Sequence, residues 1–112
     1  MKEINIIIPT YNEGKNILFL VKEIKKIIPN SFICIVDDSK DLKIGSIINK
    51  SNFKRVLYIH RKNSKGRGSA VLYGFKKLFR NYKKQIFIEM DADFSHDPRE
   101  LKRNIQLFNT SK

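Results

Sequence analysis

A chain of 112 residues is enough for one domain with one modest core. Its 41% hydrophobic content is that of an ordinary globular protein, and no apolar run approaches the ~20 residues needed to span a bilayer. The lone cysteine, Cys34, excludes an internal disulfide, and with His60 and His96 it leaves too few soft ligands for a structural zinc site. The formal charge is +12, and it is segregated: no acid occurs between Asp41 and Glu89, a stretch that holds thirteen Lys and Arg. Such a tract attracts nucleic acid, anionic lipid headgroups or a phosphorylated substrate. A codon bias towards Lys, Ile and Asn explains the charge equally well.

In chain order, residues 4–8 (INIII) read as a strand buried on both faces, ending in the polar tip Pro9-Thr10-Tyr11-Asn12-Glu13. Over residues 14–28 Ile17, Leu20, Val21, Ile24, Ile27 and Ile28 recur at helical steps, until Pro29 stops the run. Residues 31–36 (SFICIV) form the second strand, with Cys34 as a buried small hydrophobe, and lead into Asp37-Asp38-Ser39. A shorter helix is expected over 42–50. A third strand at 55–59 (RVLYI) ends in His60-Arg61-Lys62. Residues 68–82 carry Val71, Leu72, Phe75, Leu78, Phe79 and Tyr82 on one helical face. The fourth strand, 85–90 (QIFIEM), runs into Asp91-Ala92-Asp93. A last helix should begin at Pro98, with Asp97 as N-cap and Glu100 closing a capping box.

Strands and helices alternate throughout, which predicts an α/β fold: a single domain over 1–112, a parallel sheet, and ligands at the C-terminal strand ends. All four polar tips then lie on one edge, so acids distant in sequence converge. Asp91 and Asp93, two residues apart past a strand, suit a hard cation such as Mg²⁺, which takes one or two carboxylates and completes its shell with phosphates and water. Taken alone, D-x-D is a common pattern. An EF-hand reading fails because its sixth position is His96 and its twelfth is Lys102. Asp37-Asp38 suits either a ribose or base contact or ordinary turn chemistry. Gly66 and Gly68 precede a helix whose N-terminus favours anions, without the ending of a P-loop or the spacing of a dinucleotide fingerprint. Arg61, Lys62, Lys65 and Arg67 suit either a diphosphate or a solvated face.

Taken together, "IIIPTYNEGKNI", "IVDDSKD", "RKNSKGRGSAVLYGF" and "FIEMDADFSHDP" resemble the family 2 glycosyltransferases, and within them the dolichol-phosphate mannosyltransferase-like branch. The resemblance implies the Rossmann-like nucleotide-binding half of a GT-A fold, with a nucleotide-diphosphate sugar as donor, GDP-mannose in that branch. By the same resemblance Pro9, Tyr11, Asn12, Glu13, Asp38, Lys65, Gly66, Gly68 and Asp91 bind the nucleotide-sugar. The resemblance also implies that Asp91 and Asp93 are the catalytic pair that holds Mg²⁺ or Mn²⁺. Arg67 stands where relatives usually carry an apolar residue.

The implied reaction is an inverting displacement at the sugar's anomeric carbon, from the nucleoside diphosphate to a polyprenyl or dolichyl phosphate. The competing reading is a vestigial nucleotide-sugar-binding module without transfer activity. The expected location is cytoplasmic, extending to peripheral association with the cytoplasmic face of a membrane. Nucleic acid is disfavoured as a partner, because charge alone supports it and no RNA-recognition or helix-turn-helix signature is present. The acceptor-binding wall is expected from chain beyond residue 112. Its absence should leave Phe87 and Met90 on an open apolar edge, inviting a homo-oligomer.

Overall fold

A computed structural model describes residues 2–11, 16–63, 66–81 and 83–92. Among these residues four strands, β1 (Glu3–Thr10), β2 (Phe32–Asp37), β3 (Val56–His60) and β4 (Gln85–Glu89), alternate with three helices, α1 (Ile17–Ile27), α2 (Lys43–Ser51) and α3 (Arg67–Leu78). The sheet is wholly parallel in the order β3-β2-β1-β4, as the alternation of elements predicts. The chain builds outward from β1 through β2 to β3, then returns to the opposite side of β1. Loops therefore diverge above β1 and β4, where α/β sheets open a ligand crevice.

Two apolar layers hold the sheet. On one face Ile6, Ile8, Ile33 and Ile35 pack against Ile17, Leu20, Val21 and Ile24 of α1 and Ile44 and Ile48 of α2. On the other, Ile7, Cys34 and Val36 pack against Ala70 and Leu78 of α3. Strands covered on both sides need apolar residues at odd and even positions alike, which is why INIII and FICIV show no polar alternation. Gly74 lets α3 lie close: a Cβ there would sit 2.9 Å from Ile7 Cγ2 and 3.2 Å from Val36 Cγ2.

Two boundaries matter most where they differ from the sequence reading. β1 continues through Pro9 to Thr10. Odd residues of β1 bond towards β4, as in Glu3 N–H to the Lys84 carbonyl and Met90 N–H to the Ile7 carbonyl. Pro9 therefore turns its missing N–H to the side where pairing with β4 has already ended, and costs no ladder bond. α3 stops at Leu78 although the apolar period runs on. Gln85 ends it: its Oε1 accepts from the N–H groups of Arg80 (2.7 Å) and Asn81 (2.9 Å), and its Nε2 donates to the Leu78 carbonyl at 2.9 Å. Residues 14 and 15, Tyr82, and the helix expected from Pro98 lie outside the described residues.

β4 is the last strand of the described sheet, as expected, but the exposure expected of Phe87 and Met90 is corrected. Met90 is 2% exposed within the α1/α2 layer. Phe87 is half-buried, its ring edge-on to Phe75 with centroids 4.7 Å apart, and Phe75 stacks on Phe79 at 5.1 Å. Aromatic residues of α3 fold down over this strand.

Candidate functional site

The alternation of β4 settles where its acids point. Ile88, Met90 and Ala92 pack into the α1/α2 layer, whereas Phe87 packs into the α3 layer. With a side-chain period of two, Glu89 and Asp91 share Phe87's face and look towards the N-terminus of α3. Arg67, the first residue of that helix, meets them there: its guanidinium pairs with both the Glu89 and the Asp91 carboxylates. These side chains are 50%, 39% and 25% exposed respectively, and ion pairs in such surroundings contribute about 0–1 kcal/mol.

The tip of β2 is built differently. Asp37 is fully buried and internally satisfied: Oδ1 accepts from Thr10 Oγ1 and from the Ser39 N–H, both at 2.9 Å, and Oδ2 accepts from the Tyr58 hydroxyl at 2.5 Å. Burial, reinforced by this carboxylate, raises the Tyr58 hydroxyl well above its usual range and keeps it a donor. Tyr58 in turn lies over Gly45, where any Cβ would meet its ring. Asp37 thus fastens β1, β2 and β3 together at the site's floor, and the turn-chemistry reading describes it.

Asp38, 7% exposed, receives a bidentate clamp from Arg61: Nε donates to Oδ1 and Nη2 to Oδ2, each at 2.6 Å. Arg61 also donates from Nη1 to Ser69 Oγ at 3.0 Å, and from Nη2 to the Gly66 carbonyl at 3.4 Å. Hydrogen bonding to Asp38 is the first cause that holds the Arg61 guanidinium above its ordinary value. The clamp ties the ends of β2 and β3 to the start of α3. His60 Nε2 adds a contact with the Ser39 carbonyl at 2.8 Å.

The other expected site residues fall as follows. Pro9 is buried in β1, and Tyr11 stands just past it, 48% exposed. Gly66 holds the N-cap of α3 at φ +97°, a conformation suited to glycine. Gly68 is exposed in the first turn, and a Cβ there would meet nothing within 4 Å. Packing therefore does not require glycine at 68. Asn12, Glu13, Lys65 and Asp93 lie outside the described residues. Of the four basic residues considered for a diphosphate, Arg61 and Arg67 hold acids, Lys62 is exposed and Lys65 is not described. The sequence showed the charge of Arg61 and Arg67 but not their partners, which lie 23 and 24 positions away.

The donor set fits a divalent metal only in part. Asp91 is a partly exposed carboxylate at a strand end, the hard oxygen ligand that Mg²⁺ or Mn²⁺ takes alongside phosphate and water. Among the described residues, no three His, Cys, Asp or Glu come together as a complete cage. Among them, too, no helix is long and apolar enough to cross a membrane.

Comparison with known proteins accords with this geometry. Polyprenol monophosphomannose synthase of Mycolicibacterium smegmatis is 38% identical over 102 residues, covering 88% of this chain and 38% of that protein. Undecaprenyl-phosphate mannosyltransferase of Micrococcus luteus is 32% identical over 108 residues, covering 94% and 44%. The chain thus spans less than half the length of these curated relatives. Among solved structures, S. aureus TarS 1–349 superposes with a TM-score of 0.72 at 21% identity, covering 97% of this chain and 32% of that one. The mannosyltransferase PcManGT from Pyrobaculum calidifontis, in complex with GDP-Man and Mn²⁺, gives 0.70 at 18% identity, covering 88% and 29%. These structural likenesses establish the fold, an α/β Rossmann-like sheet of the GT-A type. The model of the family described as Glycosyl transferase family 2 matches residues 5–112, and the chain belongs to that family.

Proposed function

We propose that these residues form the donor-binding part of a glycosyltransferase that moves a sugar, mannose by analogy with its relatives, from a nucleoside diphosphate to a polyprenyl phosphate. The observation that carries this reading is convergence. The Asp38 tip of β2, the Asp91 tip of β4 and the glycine-bordered N-terminus of α3 meet on one sheet edge, where the strand order reverses. In this reading Tyr11 and Asp38 bind the nucleoside together with Pro9, Asn12 and Glu13, and Lys65, Gly66 and Gly68 bind the diphosphate at the N-terminus of α3, since helix N-termini favour anions. The absence of a packing reason for glycine at 68 supports close approach of a ligand there.

Asp91, with Asp93, would hold Mg²⁺ or Mn²⁺. When bound, the ion supplies Lewis-acid stabilisation to the departing diphosphate. The chain's own contribution is to orient the donor and to add positive charge beside the leaving group. A phosphate acceptor is already anionic, so its attack needs no strong general base. The acceptor is a lipid, which places the reaction at a membrane surface, and we propose the cytoplasmic face.

The test is transfer of radiolabelled mannose from GDP-mannose to polyprenyl phosphate by the protein in membranes of the cells that make it. Labelled lipid that disappears with Asp93→Ala supports the reading. Nucleotide binding without labelled lipid, from any of the common nucleotide-sugars, would favour a binding module.

A further inference from the structure

Among the described residues two arginines reach the candidate site, and their surroundings give them different work. Arg61 is 13% exposed and clamped in two places on the buried Asp38, so it is part of the frame. Arg67 is 50% exposed, and the acids it holds, Glu89 and Asp91, are 39% and 25% exposed. It is the first residue of α3 and follows the positive-φ Gly66. Its pairing with Asp91 uses the same carboxylate through which a divalent ion would enter the site. A carboxylate has lone pairs enough for both a guanidinium and a dication, but their like charges repel at this distance, so Arg67 on Asp91 weakens the carboxylate's hold on a dication.

We propose that Arg67 is a built-in counter-cation that guards Asp91, so that a divalent ion is captured preferentially together with a diphosphate. This rests on the reading of the edge as a donor site. Without a ligand, Arg67 neutralises Glu89 and Asp91 and weakens their hold on a free dication. When a diphosphate arrives at the N-terminus of α3, Arg67 has a better partner: guanidinium pairs with phosphate oxygens in a fork, through charge-assisted hydrogen bonds. Turning to the phosphate takes the guanidinium's charge away from Asp91, so that the carboxylate attracts the metal more strongly. The exchange is cheap because the pairs it breaks are solvent-exposed. The same exchange on Arg61 would strand the buried Asp38.

The test measures Mn²⁺ binding by electron paramagnetic resonance, with and without GDP, on the wild type, Arg67→Leu and Arg67→Lys. Mn²⁺ alone should bind Arg67→Leu roughly five- to tenfold more tightly than wild type, since a unit charge a few ångströms from the ion has gone. Arg67→Lys keeps the charge and should stay near wild type. GDP at saturating Mn²⁺ should bind Arg67→Leu about tenfold more weakly, for want of a phosphate partner. Equal Mn²⁺ affinity in wild type and Arg67→Leu, or no Mn²⁺ binding by either, overturns the guard. Tighter Mn²⁺ binding by Arg67→Leu with no GDP binding by any variant keeps the guard and rejects the donor reading. Circular dichroism checks that the variants fold, which the exposure of Arg67 leads us to expect.

Discussion

Removing Asp38 should damage the fold before it damages binding. The carboxylate is 7% exposed and receives two hydrogen bonds of 2.6 Å from an arginine that is itself 13% exposed. In Asp38→Ala, Arg61 keeps its hydroxyl and carbonyl acceptors, Ser69 and Gly66, but loses its one carboxylate partner among the described residues. Breaking a buried pair by removing one partner costs about 3–5 kcal/mol. Against a typical total of about 5–15 kcal/mol that is a large share of the stability. Replacing both residues leaves no stranded charge. Asp38→Leu combined with Arg61→Leu should therefore cost less than the two single changes added together, with a coupling of about 2–3 kcal/mol. Urea unfolding followed by far-ultraviolet circular dichroism measures all four proteins. Single variants that each lose less than about 1 kcal/mol and add without coupling would refute the reasoning and class the pair with exposed ones. The double variant has a second use: if it is folded yet fails to bind nucleoside, Asp38 contributes to recognition as well as to the frame.

Other consequences follow from packing and burial. Gly74→Ala drives a methyl against Ile7 and Val36, both already enclosed, and should destabilise by about 1–2 kcal/mol in thermal melts even after the helix-propensity gain, whereas Gly68→Ala should leave stability equal or higher and weaken nucleotide binding. Gln85→Leu removes the three bonds that end α3, leaves two N–H groups and a carbonyl to find new partners, and should cost roughly 1–3 kcal/mol in urea unfolding. Burial pushes the Cys34 thiol up from 9.0 to about 11. A raised folded value means that the unfolded chain loses its proton first, so this group's contribution is fully present below pH 9 and is lost as pH climbs towards 11. Wild type should therefore lose roughly 2–3 kcal/mol more than Cys34→Val between these limits, and parallel pH profiles would contradict the assignment.

The sheet was legible because burial on both faces writes itself as unbroken Ile, Val and Phe, and because the alternation of strands with amphipathic segments leaves a parallel order as the simplest solution. The convergence of Asp38, Gly66 and Asp91 followed from that topology alone. What escaped was set by distant partners. Pro9 belongs to β1 because the neighbouring strand ends just before it, and α3 stops because a glutamine from the next strand takes over its last polar groups. Asp37 and Asp38 look equivalent in sequence, yet one is tied by hydroxyls and a backbone N–H and the other by an arginine. The pairing of Arg67 with Asp91 joins a helix start to a strand end and leaves no local trace beyond a basic residue in an unusual place.

The most direct test of the central claim is isothermal titration of GDP into the purified protein, first with Mn²⁺ and then with excess chelator. A donor site at the tips of β1, β2 and β4 predicts saturable binding with Mn²⁺ that chelation abolishes. Equal affinity in both conditions, or no heat in either when UDP and the other nucleoside diphosphates are tried as well, would contradict it.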